Sequence, residues 1–411
     1  MDDPRPSSQP YTRRVSSYKA ALTRVLTSQG GRFVQTSAPP GVINLGLGQP
    51  SPRLLPLAEI SRAAREQLRP EADPLVLQYG ALRGYEDFRR SLARYLSAEY
   101  GQAVRTEELM VTAGTSSALT LVAESFAKPG ATVIAEDPTY FLAHGVFASA
   151  GLEVRGVPVD EQGLEVEALA ELLAEGPSPA FVYVIPAFQN PTGVSLARAR
   201  ARRLVELAEA HDFVIVADEP YVALHYTDAR PNAHWGSLTQ YDEGRSRVLS
   251  LGSFSKLLAP GLRLGWAHGA PALIERLAAH GALRSGGCLN PVVANIVHHT
   301  LDSGFLARHV DELRAVYGAR VRAMAAALRE HLPEARFVEP EGGYFCWVDL
   351  GEGSDSDALL ERAETLRFIP GRRCAVSRDL GRFVRLSFAF YEADEIVEGV
   401  ARLGASCRRE G

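Results

Sequence analysis

FVIVADEPYVAL, residues 213–224, places five apolar residues in a row ahead of an aspartate and a proline turn. A run this short and this apolar has no polar face to show to water, so it reads as a strand covered on both sides, as in a parallel sheet. Asp218 closes the run. An unpaired carboxylate there would be costly and calls for a cationic partner, although a helix N-cap or an arginine ion pair would use the same residue.

Working outward, similar runs stand at 109–112, 132–135, 181–185, 248–251 and 264–267, each closed by polar or turn residues. Between them, 165–174 and 197–211 carry apolar residues at helical spacing in Ala-, Arg- and Glu-rich surroundings. Strands alternating with helical crossovers predict an α/β fold, a mainly parallel sheet flanked by helices, with its chemistry at the strand ends. After about Pro291 the pattern changes to a long amphipathic helix at 305–331, strands around 343–350 and 383–388, and a closing helix. The expected division is an N-terminal tail and packing segment at 1–50, a large domain at 51–290 and a smaller α+β domain at 291–411. GVINLGLGQPSP, residues 41–52, is too rich in Gly and Pro for regular structure and leads from an N-terminal helix into the large domain.

At 411 residues the chain has room for two or three units, and 46% hydrophobic with 23% charged residues is the balance of a globular enzyme. A net charge of −5 with scattered basic residues gives no footprint for nucleic acid or an anionic membrane, which leaves small molecules as partners. Cys288, Cys346, Cys374 and Cys407 form no CxxC pair, which argues against a metal site or disulfide framework and fits a reducing cytoplasm. The first fifteen residues are polar and Pro-rich, unlike a signal peptide, and no apolar stretch approaches the ~20 residues a membrane span needs.

Five stretches carry groups suited to chemistry. VTAGTSSALTLV (111–122) turns through Gly114 into a helix whose first residues, Thr115 and Ser116, offer free N–H groups to a phosphate, or are an ordinary capped start. AEDPTYFLAH (135–144) puts Tyr140 just past a strand, where its ring could lie against a bound ring or face the core. VIPAFQNPTGVSL (184–196) presents the Asn190 amide on a rigid turn, and FVIVADEPYVAL supplies Asp218. LSLGSFSKLLAPGLRLGW (249–266) gathers Ser253, Ser255, Lys256 and Arg263: hydroxyls and a guanidinium for a phosphate, and a lysine that apolar company would depress into a nucleophilic amine unless it snorkels to the surface.

The order TAGTSSAL, DPTY, FQNPTG, ADEPY and SFSKLLAPGLRLGW, with LQYGALRGYEDFRRSLARYL at 77–96, resembles the fold type I, class I/II aminotransferases that use pyridoxal 5'-phosphate (PLP), the 2-aminoadipate and aromatic-type branch in particular. The resemblance spans nearly the whole chain. It implies that Lys256 holds PLP as a Schiff base and carries protons between substrate Cα and cofactor. Asp218 would keep the pyridine nitrogen protonated, Asn190 and Tyr221 would bond the phenolic oxygen, and Tyr140 would stack on the ring. Gly114, Thr115, Ser116, Ser253, Ser255 and Arg263 would hold the phosphate, with Tyr79 reaching it from a partner subunit in a homodimer with shared active sites. Arg385, in RFVRLSFAF, would grip the substrate α-carboxylate beside Gly48 and Asn190.

The implied reaction moves an amino group between an L-amino acid and a 2-oxo acid. Elimination, cyclisation or oxidation on the same scaffold stays open. A ligand-sensing module fused to a winged-helix regulator would need a DNA-binding domain for which 1–50 is too short and too weakly basic. The sequence departs from the pattern at Ser116 and Ser117, where many relatives carry glutamine, and SGGCLNP at 285–291 matches no known role. Arg24 or Arg32 could meet an acidic substrate side chain.

Overall fold

The protein is seen as a computed structural model that describes residues 38–226 and 236–408. The expected N-terminal helix, Arg24 and Arg32 lie outside these residues.

The central sheet contains β2 (Leu109–Thr112), β3 (Thr132–Asp137), β4 (Glu153–Asp160), β5 (Gly163–Leu164), β6 (Phe181–Val184), β7 (Val214–Asp218), β8 (Val248–Ser253) and β9 (Gly265–Gly269), in spatial order β2-β9-β8-β7-β6-β3-β4-β5. Neighbours from β8 through β4 run parallel, while β9 is antiparallel to both β2 and β8. Every residue of β6, β7 and β8 is buried, because both faces are covered. Alternate side chains serve opposite faces: Phe181, Tyr183, Val214 and Val216 join the core under helices Thr115–Phe126, Ala143–Ser149 and Pro271–Ala278. Val182, Val184, Ile215 and Ala217 join the one under Val166–Ala174 and Arg198–Ala210.

The smaller unit packs helix Phe305–His331 against helix Ala393–Cys407. It also holds a sheet of order β10 (Phe345–Asp349), β13 (Phe383–Ser387), β12 (Ile369–Pro370). Asp137, at the end of β3, ties this unit to the large sheet: its carboxylate accepts from the backbone N–H groups of Val376, Ser377 and Arg378 at 3.0, 2.9 and 3.1 Å.

Four expectations need correction. The strand expected at 264–267 is β9, antiparallel, so Arg263 enters the site from the start of a strand rather than its end. β4 was not expected, since its residues are mostly half-buried or exposed and carry no continuous apolar signal. Segment 41–52 does pair: β1 (Ile43–Asn44) lies parallel to β11 (Leu366–Arg367). A separate helix, Pro291–Asp302, precedes the long one.

Candidate active site

Parallel strands deliver their carboxyl ends to one edge of the sheet, and Asp218 and Ser253 end strands there, with Tyr140 and Asn190 in the turns that follow β3 and β6. Asp218 is the last residue of β7 and is buried. No cation of the described residues pairs with it. Tyr183, from neighbouring β6, donates its hydroxyl to Asp218 Oδ2 at 2.8 Å, and Oδ1 is buried with no hydrogen-bond partner among the described residues. Burial pushes this carboxyl up to about 6, against the pull of the Tyr183 bond and of Lys256. An orphaned, buried carboxylate oxygen calls for a donor, and a protonated ring nitrogen is one.

Lys256 follows β8 and is half-buried, whereas Lys128 is exposed. Its amine donates to Gly48 O at 2.7 Å and lies 5.3 Å from the Tyr344 ring centre. Burial, then the nearby Arg385 guanidinium, pushes the amine down to about 8, with Asp218 pulling the other way. Arg385, at the middle of β13, is 3% exposed. Its guanidinium donates to Asn190 Oδ1 at 3.0 Å and to Gly46 O at 2.8 Å, over the Phe345 ring at 4.2 Å. No carboxylate of the described residues pairs with it, and burial holds its pKa below the usual range. A buried guanidinium served only by neutral acceptors suits an incoming carboxylate. Gly48 stands between the two cations: a Cβ there would come within 3.2 Å of Phe345 and 3.8 Å of Arg385.

At the other end, Gly114 has φ +86° and introduces helix Thr115–Phe126, whose first turn has no side-chain cap. A Cβ on Gly114 would lie 3.1 Å from Arg263 Nη2, so only glycine leaves the guanidinium beside the helix start. Ser253 ends β8, and its hydroxyl accepts from Ser255 N at 3.1 Å. Free N–H groups, hydroxyls and a guanidinium at a helix N-terminus form an anion cradle. The orphaned Asp218 oxygen, the half-buried Lys256 amine and this cradle together fit PLP.

Beneath the site lies a network that sequence reasoning missed. Glu136, buried in β3, accepts from Ile185 N at 2.9 Å and Gln189 Nε2 at 3.1 Å. Gln189 Nε2 also donates to Pro138 O at 2.8 Å, and its Oε1 accepts from Thr192 N at 2.9 Å, so one side chain joins the Tyr140 loop to the Asn190 turn. Burial pushes Glu136 up to about 8. A carboxyl raised above its unfolded value favours folding fully below about pH 4.5, a contribution lost as pH rises through about 8. Glu136→Gln should therefore flatten the fall in urea-derived stability between pH 5 and 8, by up to about 1.4 kcal/mol per pH unit. Parallel pH profiles for the two proteins would refute this.

Lys256, Asp218, Asn190, Gly48 and Arg385 thus share one cluster, with Tyr221 buried against Tyr344 and Phe345 at ring distances of 5.3 and 5.9 Å. Tyr140 is half-buried and stands beside Phe141. Thr115 and Ser116 open the helix, Ser116 exposed. Tyr79 is 81% exposed and stands on the surface. Sequence reasoning also passed over Tyr183, although a hydroxyl in an otherwise apolar buried run was a visible signal, and Gly46, Tyr344 and Phe345, which had none.

A family model described as aminotransferase class I and II matches residues 40–403. The chain is 35% identical to aromatic-amino-acid aminotransferase 1 of Thermococcus litoralis, over 97% of this chain and 94% of that protein. A crystal structure of Pyrococcus horikoshii kynurenine aminotransferase, in complex with PMP and with KYN and KYA as substrates and products, superposes with a TM-score of 0.85 at 33% identity, covering 98% of this chain and 97% of that one. The alpha-aminoadipate aminotransferase of Thermus thermophilus, complexed with N-(5'-phosphopyridoxyl)-L-leucine, gives 0.80 at 31% identity over 96% and 98%. Fold, cofactor-shaped site and kinship agree, and the chain belongs to the class I and II aminotransferases, enzymes that use pyridoxal phosphate.

Proposed function

We propose that this aminotransferase takes its amino group from an L-amino acid with an aromatic or long side chain, with Arg385 as the carboxylate anchor and Lys256 as the proton carrier. The buried Arg385 guanidinium without a carboxylate partner carries the reading. Bound PLP supplies a carbonyl for the amino group and an electron sink for the Cα electrons. Arg385 would fix the substrate by its α-carboxylate as a bidentate fork, and Asn190, already bonded to Arg385, would with Tyr221 hold the cofactor's phenolic oxygen. Lys256 would hold the cofactor, and its amine, pushed down to about 8 by burial, would take a proton from Cα and return it close to neutral pH. Asp218 would hold the ring nitrogen protonated, and Tyr140 would cover the ring. Gly114, Thr115, Ser116, Ser253, Ser255 and Arg263 would hold the phosphate. The rings of Phe141 and Phe345 beside Arg385 support an aromatic or extended donor, as do the relatives named for aromatic amino acids, kynurenine and alpha-aminoadipate.

The same reading has a large domain at 51–290, a smaller one at 291–411, and a homodimer in the cytoplasm. Leu57, Leu75, Leu77 and Tyr79, all at least 70% exposed along one stretch, support a partner surface there, and four cysteines with no CxxC spacing suit a reducing compartment. The PLP-loaded protein, mixed without oxygen with single amino acids, should convert its cofactor to the amine form and release one 2-oxo acid per site, with phenylalanine, tyrosine, kynurenine or 2-aminoadipate the best donors. A product that has lost or rearranged its side chain would overturn transamination. Preference for alanine or aspartate would overturn the donor class.

A further inference from the structure

SGGCLNP, residues 285–291, has no role in the site described above, yet it touches that site through the backbone. Gly287 (φ +76°) and Cys288 lie against Gly80, which follows Tyr79. Asn290 precedes helix Pro291–Asp302 at φ +56°, a left-handed position that asparagine tolerates better than most residues. Its amide does not cap that helix. Instead both amide hydrogens are used elsewhere: Nδ2 donates to Leu262 O at 2.8 Å and to Arg263 O at 2.6 Å. Arg263 is itself left-handed at φ +46°, a conformation that a residue with a Cβ keeps only when its surroundings hold it there. Its guanidinium reaches Ala113 O at 3.4 Å, beside Gly114 and the start of helix Thr115–Phe126. The Asn290 amide thus grips the carbonyls on either side of the strained turn that aims Arg263.

We propose that Asn290 is a positioning residue for the cofactor's phosphate, and that SGGCLNP is a strap holding the Arg263 turn in its left-handed form. This rests on the assignment of Arg263 to the phosphate. The test compares two ligands of the apoprotein, PLP and pyridoxal, which differ only in the phosphate. Asn290→Gly keeps the backbone conformation and deletes the amide. Asn290→Asp keeps the shape and sets a carboxylate against two carbonyl oxygens. Both should weaken PLP about tenfold, the loss expected when one charge-assisted contact is misaligned, and leave pyridoxal within about twofold.

Equal weakening of both ligands, or of neither, would overturn the proposal, as would failure of both variants to fold, which would assign the two bonds to loop stability alone. Arg263→Met is the reference. If it lowers the preference for PLP over pyridoxal while the Asn290 variants do not, the strap fails and the phosphate assignment stands. If Arg263→Met leaves that preference unchanged, the phosphate assignment itself fails.

Discussion

Lys256→Ala should turn over amino acids about 10⁴-fold more slowly than the parent enzyme, the upper end of what one positioned acid–base group supplies, and should hold no cofactor covalently. The chain makes the second half of this test unusually clean, because it has only three lysines: Lys19, Lys128 and Lys256. Lys128 is exposed. Borohydride reduction of the PLP-loaded parent, followed by peptide mass mapping, should place the phosphopyridoxyl mass on the peptide that contains Lys256. The variant should carry it on neither remaining lysine. Lys256→Arg keeps a cation near Asp218 but cannot act as a base near pH 8, so it should be as slow as the alanine variant. Trapping on Lys128, or turnover within tenfold of the parent for either variant, would sink the assignment. A small primary amine added to Lys256→Ala should restore part of the rate, since the missing group is a proton carrier.

What the sequence made legible follows from how each feature is encoded. Strands β6, β7 and β8 could be read because a strand buried on both faces must be apolar throughout, which marks the chain locally. β4 could not, since its residues alternate in exposure and its place is set by pairing with β3. Asp218 stood out as a charge at the end of an apolar run, but its partners did not. Tyr183 meets it only because β6 and β7 are neighbours in register. The hydrogen bond between Asn190 and Arg385 joins a turn residue to a strand residue 195 positions away, and no local pattern encodes it. The Asn290 amide is the extreme case, a side chain in an ordinary turn whose purpose appears only when the carbonyls it binds are seen. Resemblance to known enzymes supplied Arg385 and Lys256 where periodicity alone left each a choice between site and surface. Burial is the observation that separates those choices: Arg385 is 3% exposed, which a strand-edge surface arginine would not be.

Asp218→Asn should lower turnover about 10³-fold, the scale set by removing one partner of a buried charge pair. It should at the same time stabilise the apoprotein at neutral pH. The sign follows from the direction of the shift. Burial raises this carboxyl from its ordinary value to about 6, so its neutral form supports the fold fully below about pH 4, and that support is lost as pH rises through 6. Above pH 6 the empty site holds a charged, half-satisfied carboxylate, which costs up to about 3 kcal/mol relative to a group that never ionises. An asparagine amide has no such charge and can still accept from Tyr183. Cofactor binding should reverse the order, because a protonated ring nitrogen satisfies the orphaned Oδ1 and returns the cost as affinity. Urea denaturation of both proteins between pH 4 and 8, with and without saturating PLP, separates these effects. The variant should be the more stable apoprotein at pH 7, equal to the parent near pH 4, and should gain less from PLP. Should PLP stabilise both proteins equally, or should the variant keep full turnover, the carboxylate would not be the partner of the ring nitrogen, and its burial at the end of β7 would need another cause.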